Sequence, residues 1–186
     1  MNLEQRTRNS NRNGTKNYSP INFKIKFNVQ NVPVTGSCFY WSVLVAGGYR
    51  VSPQEVMRLR KEVSRVLQYW FTQELHYNLN KMLTNPQGQN VSVRQYINNT
   101  RKYSSWAGKR EIQAVSYILG RRIYSIGKDF KFLPKFSYSG DDIPAKNPIY
   151  ILYNGSTHFQ PLLLKHRRLT RRKFPIIFHK YYVPPK

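Results

Sequence analysis

Apolar residues recur at a helical period through the middle of this chain and at a strand period near both ends. That segregation limits the fold more than any other feature. Phe23-Lys24-Ile25-Lys26-Phe27-Asn28-Val29 alternates strictly and reads as a strand whose lysine face guards an edge. Cys38 to Ala46 reads as a helix stopped by Gly47-Gly48. Ser52-Pro53-Gln54-Glu55 is a capping box with proline at the first helical position. Val56, Leu59, Val63, Val66, Leu67, Trp70 and Phe71 follow at helical spacing, and Leu75, Leu79 and Met82 continue the stripe. One long helix or two shorter ones should therefore end before Asn85-Pro86-Gln87-Gly88. Ser92-Val93-Arg94-Gln95 opens a helix to about Arg101, and Lys109 to Leu119 forms another that Gly120 stops. Arg122 to Ile126 reads as a strand. Ile149 to Tyr153 and Thr157 to Leu164 read as a hairpin about Asn154-Gly155, with a last strand in Phe174 to Val183 broken by Pro175. The expected class is α+β, a small mixed sheet packed between helical segments, in one domain spanning 20–186. Residues 1–19 are polar, basic and too poor in apolar groups to order, so they read as a disordered arm.

The single cysteine among 186 residues cannot form an internal disulfide, so packing alone must hold the fold. It points to a reducing, intracellular location, cytoplasm or nucleus. One Cys with scattered His residues supplies no structural zinc set, and nothing in the sequence implies a cofactor or metal. No apolar run approaches the ~18 residues of a membrane span, and the first residues lack the apolar core of a secretory signal. Thirty-one Lys and Arg against eight Asp and Glu give a net charge of +23. Such a field attracts polyanions, nucleic acid included. The basic run at residues 165–173 reads as a solvated loop, with nuclear import or polyanion contact as its other readings.

Cys38 follows a tight Thr35-Gly36-Ser37 turn and opens the first helix. A thiol there meets unpaired N–H groups and the positive end of the helix dipole, and both favour the thiolate. A nucleophilic thiol also needs a base. Of the four histidines, His76 lies on the long helical segment, His166 in the basic run and His179 near the C-terminus. His158 starts the returning strand of the hairpin, a rigid perch suited to a general base. From the residues alone, two readings stand: a Cys38–His158 hydrolase, or a buried inert cysteine.

Thr35-Gly36-Ser37-Cys38-Phe39 resembles the Asp-Gly-x-Cys-Leu/Phe segment of the ovarian-tumour (OTU) family of cysteine proteases. Val93-x-x-Tyr96-Ile97, with Trp106-Ala107-Gly108-x-x-Glu111-Ile112-x-Ala114, is similar to that family's central stretch. Ile151-Leu152-Tyr153-Asn154-x-x-x-His158-Phe159 is similar to its terminal His segment. The three blocks keep the family's order over roughly Val32 to Leu164. The resemblance implies a papain-like OTU fold and a deubiquitinase, monomeric and metal-independent. Cys38 would attack the carbonyl after the C-terminal Gly-Gly of ubiquitin or a ubiquitin-like protein, with His158 as general base. Backbone N–H groups of Thr35, Gly36, Ser37 and Cys38 would hold the oxyanion. Two positions depart from the pattern: Thr35 and Gln160 stand where the family carries Asp, and Asp or Asn. Gln160 remains the expected third member, its carbonyl accepting the imidazole N–H, with Asn154, Asp141 or Asp142 as substitutes. Asp141 and Asp142 are expected to contact the basic ubiquitin tail. Trp106 is expected in the core, and Glu111 as a cap of its helix. The departures and the basic arm suggest a divergent viral or pathogen member. The competing readings are a nucleic-acid-binding module with a structural Cys38, and a same-fold protease that matures a viral polyprotein.

Overall fold

The computed structural model describes residues 27–74, 76, 78–140, 143–165 and 172–174. The arm, most of the 165–173 run, Asp141, Asp142, His166, His179 and the last expected strand lie outside the described residues. Four strands form a mixed sheet in the order β1-β6-β5-β4: β1 (Phe27–Val29), β6 (Phe159–Leu164), β5 (Ile149–Tyr153) and β4 (Ile123–Gly127). β4 and β5 run parallel, Ile123 opposite Ile149. β5–β6 and β6–β1 are antiparallel, with Leu152 opposite Gln160 and Phe27 opposite Leu164. The β5–β6 hairpin turns where Asn154-Gly155 requires it, Gly155 adopting φ 88°.

Helix α1 (Cys38–Gly47) lies against β5 and β6 and ends on Gly48 at φ 76°. Helix α2 (Pro53–Tyr69) packs on α3 (Val93–Thr100) and α4 (Lys109–Leu119). Its stripe residues Val56, Leu59, Val63 and Leu67 are fully buried. Each contributes about 1.5–3 kcal/mol relative to exposure. Ser52 Oγ accepts from Glu55 N, but Glu55 turns its carboxylate to Arg58, so only half of that expected capping box forms. The second box is complete, Ser92 and Gln95 exchanging side-chain and backbone bonds.

The long stripe stops earlier than its period suggests. α2 passes into a π-helical turn at Trp70–Glu74, and His76 sits exposed at φ 47°. Met82, expected on the helix, is 58% exposed on a short strand, β2 (Met82–Thr84), paired with β3 (Asn90–Ser92). The cause is local. Asn85 receives the Gln89 N–H and its own N–H meets the Gln89 carbonyl, closing a hairpin over Pro86-Gln87-Gly88. One core fills the space between helices and sheet, and a smaller group of Phe27, Ile126, Leu152 and Leu162 covers the sheet's other side. No helix among the described residues is long and apolar enough to cross a membrane.

Candidate active site

The fold brings the first residue of α1 against the first residues of β6. Cys38 Sγ lies 3.8 Å from the Thr157 carbonyl and receives the Phe159 N–H at 3.5 Å. The thiol is thus bracketed by the two neighbours of His158. It is buried and lines a cleft of about 590 Å³ whose walls include Trp70, Trp106, Arg110, Phe136 and Thr157. Phe39 meets Phe159 edge-on at 5.5 Å, and Phe159 meets Tyr153 and Phe136, so an aromatic wedge fixes the helix to the hairpin.

The N–H groups at the start of α1 pull the thiol toward the thiolate, as expected, but burial opposes them more strongly. Burial pushes the Cys38 thiol above its ordinary value of 9.0 and outweighs the opposing pull of the Phe159, Phe39 and Cys38 N–H groups. Burial also lowers His158 from its ordinary 6.5. The resting pair is therefore a neutral thiol and a neutral imidazole.

Asn154 presents His158. Its Oδ1 accepts the N–H groups of Ser156, Thr157 and His158 at 2.9–3.0 Å, and its own N–H meets the His158 carbonyl. Asn154 therefore holds the backbone of His158, not its ring. Gln160 Nε2 donates to Asn31 Oδ1 at 2.9 Å, and among the described residues His158 Nδ1 has no hydrogen-bond partner. The expected Gln160–imidazole bond is absent because the Gln160 amide is engaged beyond the far edge of its strand, near the end of β1.

Among the expected oxyanion donors, three N–H groups are committed inside the turn. Thr35 N donates to Pro33 O, Ser37 N to Thr35 Oγ1 and Cys38 N to Thr35 O. Gly36 N–H has no such partner among the described residues. A Cβ on Gly36 would stand 1.9 Å from the Ser104 carbonyl oxygen, so only glycine fits where this loop meets the 103–105 segment. Glu111 caps α4 as expected, accepting the Gly108 N–H at 2.8 Å. Trp106 departs from expectation. It is 40% exposed, on a loop that borders the cleft. No group of His, Cys, Asp or Glu suited to a metal ion occurs among the described residues.

A family model described as OTU-like cysteine protease matches residues 33–159, which span the Cys38 turn, the central helices and the His158 hairpin. The chain belongs to the OTU-like cysteine protease family. Solved structures of OTU proteins share its fold at low identity. A Hazara virus OTU bound to ubiquitin superposes with a TM-score of 0.56 at 19% identity, over 78% of this chain and 86% of that one. The viral OTU domain protease of Taggert virus gives 0.55 at 17%, over 82% and 88%. An OTU deubiquitinase of Wolbachia pipientis bound to ubiquitin gives 0.53 at 20%, over 77% and 99%. No curated protein sequence matches the chain. Asn31 and Arg60 are site-shaping residues that sequence reasoning passed over. Arg60 carried a signal, since it falls on the buried stripe between Val56 and Val63.

Proposed function

We propose that this OTU-family protease hydrolyses the bond after the C-terminal Gly-Gly of ubiquitin or a ubiquitin-like protein on a conjugate. Cys38 is the nucleophile and His158 the general base. The observation that carries this reading is the contact of the thiol with Thr157 and Phe159, the residues on either side of His158, in the lining of a cleft. Substrate entering the cleft brings its carbonyl to the sulfur. His158 takes the thiol proton as the S–C bond forms, then gives it to the leaving amine. Water, activated by the same imidazole, releases the acyl group. The ubiquitin-bound structures of related fold support the choice of substrate. Asp141 and Asp142 are proposed to meet the basic tail of that substrate.

The test is capture by ubiquitin bearing a C-terminal electrophile. The wild type should form a covalent adduct, Cys38→Ala should form none, and His158→Ala should react at least about 100-fold more slowly. Absence of any wild-type adduct would remove the ubiquitin reading.

A further inference from the structure

We propose that Arg60 is the positioning residue for the turn that delivers an oxyanion donor, the Gly36 N–H, to the Cys38 site. The proposal rests on Cys38 acting as a nucleophile and goes beyond the choice of substrate. Arg60 is fully buried on α2, and no carboxylate forms an ion pair with it among the described residues. An isolated buried cation is costly unless its donors are satisfied. Here neutral acceptors from several segments surround it. Nε donates to Ser37 Oγ and Nη1 to the Thr100 carbonyl, each at 2.9 Å. Nη2 reaches the carbonyls of Gly36 at 2.9 Å, Tyr103 at 3.2 Å and Ser105. The guanidinium also lies over the Tyr40 ring at 4.2 Å, in the first turn of the helix that Cys38 opens.

The bonds to Gly36 and Ser37 fall on the two residues before Cys38. Ser37 is the N-cap of α1, yet its hydroxyl caps nothing. It accepts from Arg60 and donates to the Tyr103 carbonyl at 2.7 Å. A serine at this position ordinarily satisfies a first-turn N–H, worth about 1 kcal/mol to a helix. Arg60 diverts that oxygen, so the first turn stays uncapped beside the sulfur. The Gly36 carbonyl points into the guanidinium, and this anchors the residue whose own N–H is the uncommitted donor of the turn among the described residues. Lysine has one charged centre and cannot span this set of acceptors with a planar fork.

The chain's single cysteine lets two reactions be compared at one atom. Alkylation by iodoacetamide displaces iodide and builds no oxyanion. Acylation by p-nitrophenyl acetate passes through one: the sulfur bonds to the carbonyl carbon, p-nitrophenolate leaves, and the thiol proton passes to His158. Rates are taken after subtracting the Cys38→Ala background. In Arg60→Lys, alkylation should stay within about 3-fold of wild type while acylation falls about 30-fold or more, as loss of an oriented oxyanion donor does. Ser37→Ala, a milder change that keeps the guanidinium, should shift the same ratio by about 5-fold in the same direction. A ratio unchanged in both variants, with both rates falling together or neither moving, overturns the proposal and leaves Arg60 as packing alone. A wild-type thiol that alkylates but is not acylated overturns it as well. Failure to react with the ubiquitin electrophile while acylation proceeds would remove only the ubiquitin reading.

Discussion

At the scale of single residues, burial sets the protonation of the proposed catalytic pair. Desolvation raises Cys38 and lowers His158, so both are neutral between the two shifted values. A neutral imidazole is the form that accepts the thiol proton. The acid limb of kcat/KM should therefore lie below 6.5 and the basic limb above 9.0, leaving a broad plateau between. Among the described residues, His158 Nδ1 has no partner to stabilise the imidazolium that the proposed reaction forms. Gln160→Asp would place a carboxylate two residues after His158, shortened by one methylene and released from donating to Asn31. A nearby negative charge favours the imidazolium. The acid limb should then move upward and kcat should rise several-fold, whereas Gln160→Ala should change kcat by less than about 3-fold. The check is a pH–rate profile of the three proteins on one substrate. An acid limb that stays in place in Gln160→Asp would show that position 160 does not communicate with the imidazole.

At the scale of elements, the hairpin carrying His158 depends on one side chain. Asn154 Oδ1 holds three consecutive backbone N–H groups of the turn. Asn154→Ala releases them to water, and the variant should lose about 1 kcal/mol. Because the released turn sets where His158 stands, kcat/KM should fall about 10-fold, a loss of the size that misplacing a catalytic group brings. Asn154→Asp keeps the acceptor and should retain most activity. Urea unfolding and steady-state kinetics on the pair settle it: an alanine variant destabilised but fully active would separate the turn from catalysis. This hairpin was legible in the sequence because its signal is local, an Asn-Gly between two apolar runs. The same holds for the glycine stop at Gly120 and for the helix from Lys109 to Leu119. The end of α2 was not legible, because Leu75, Leu79 and Met82 keep the helical period while the hairpin closed at Asn85 and Gln89 draws Met82 into a strand. The surroundings of Arg60 were not legible either. Its acceptors come from residues 36, 37, 100, 103 and 105, and only the folded chain assembles them. Cys38 and His158 were proposed from their local settings and the resemblance, and the fold sets the thiol against the two residues flanking His158. The partner of Gln160 was not, since Asn31 reaches it only because β1 pairs with β6.

At the scale of the whole molecule, the charge imbalance acts on stability. Eight carboxylates face thirty-one Lys and Arg. Several of the eight are already committed. Glu55 pairs with Arg58 and Glu62 with Arg65 within one helix, Asp129 pairs with Lys131, and Glu111 is buried at the start of α4. Folding thus brings the many cations of the described residues to a common surface with few anions left to offset them. Net charge this far from zero destabilises the compact state through self-repulsion. The unfolded chain spreads the same charges apart. Salt shortens the reach of that repulsion, from about 30 Å at 0.01 M to about 10 Å at 0.1 M. Screening should then relieve the folded state more than the unfolded one. If it relieves about 1–2 kcal/mol, Tm should rise by roughly 3–6 °C between 0.01 and 0.15 M NaCl. Scanning calorimetry in NaCl and in sodium sulfate at equal ionic strength separates screening from anion binding. Equal rises in the two salts would mark screening, and a larger rise in sulfate would mark a bound anion. A Tm that is flat or falls with NaCl would mean the cations are spaced too widely on the folded surface to repel one another.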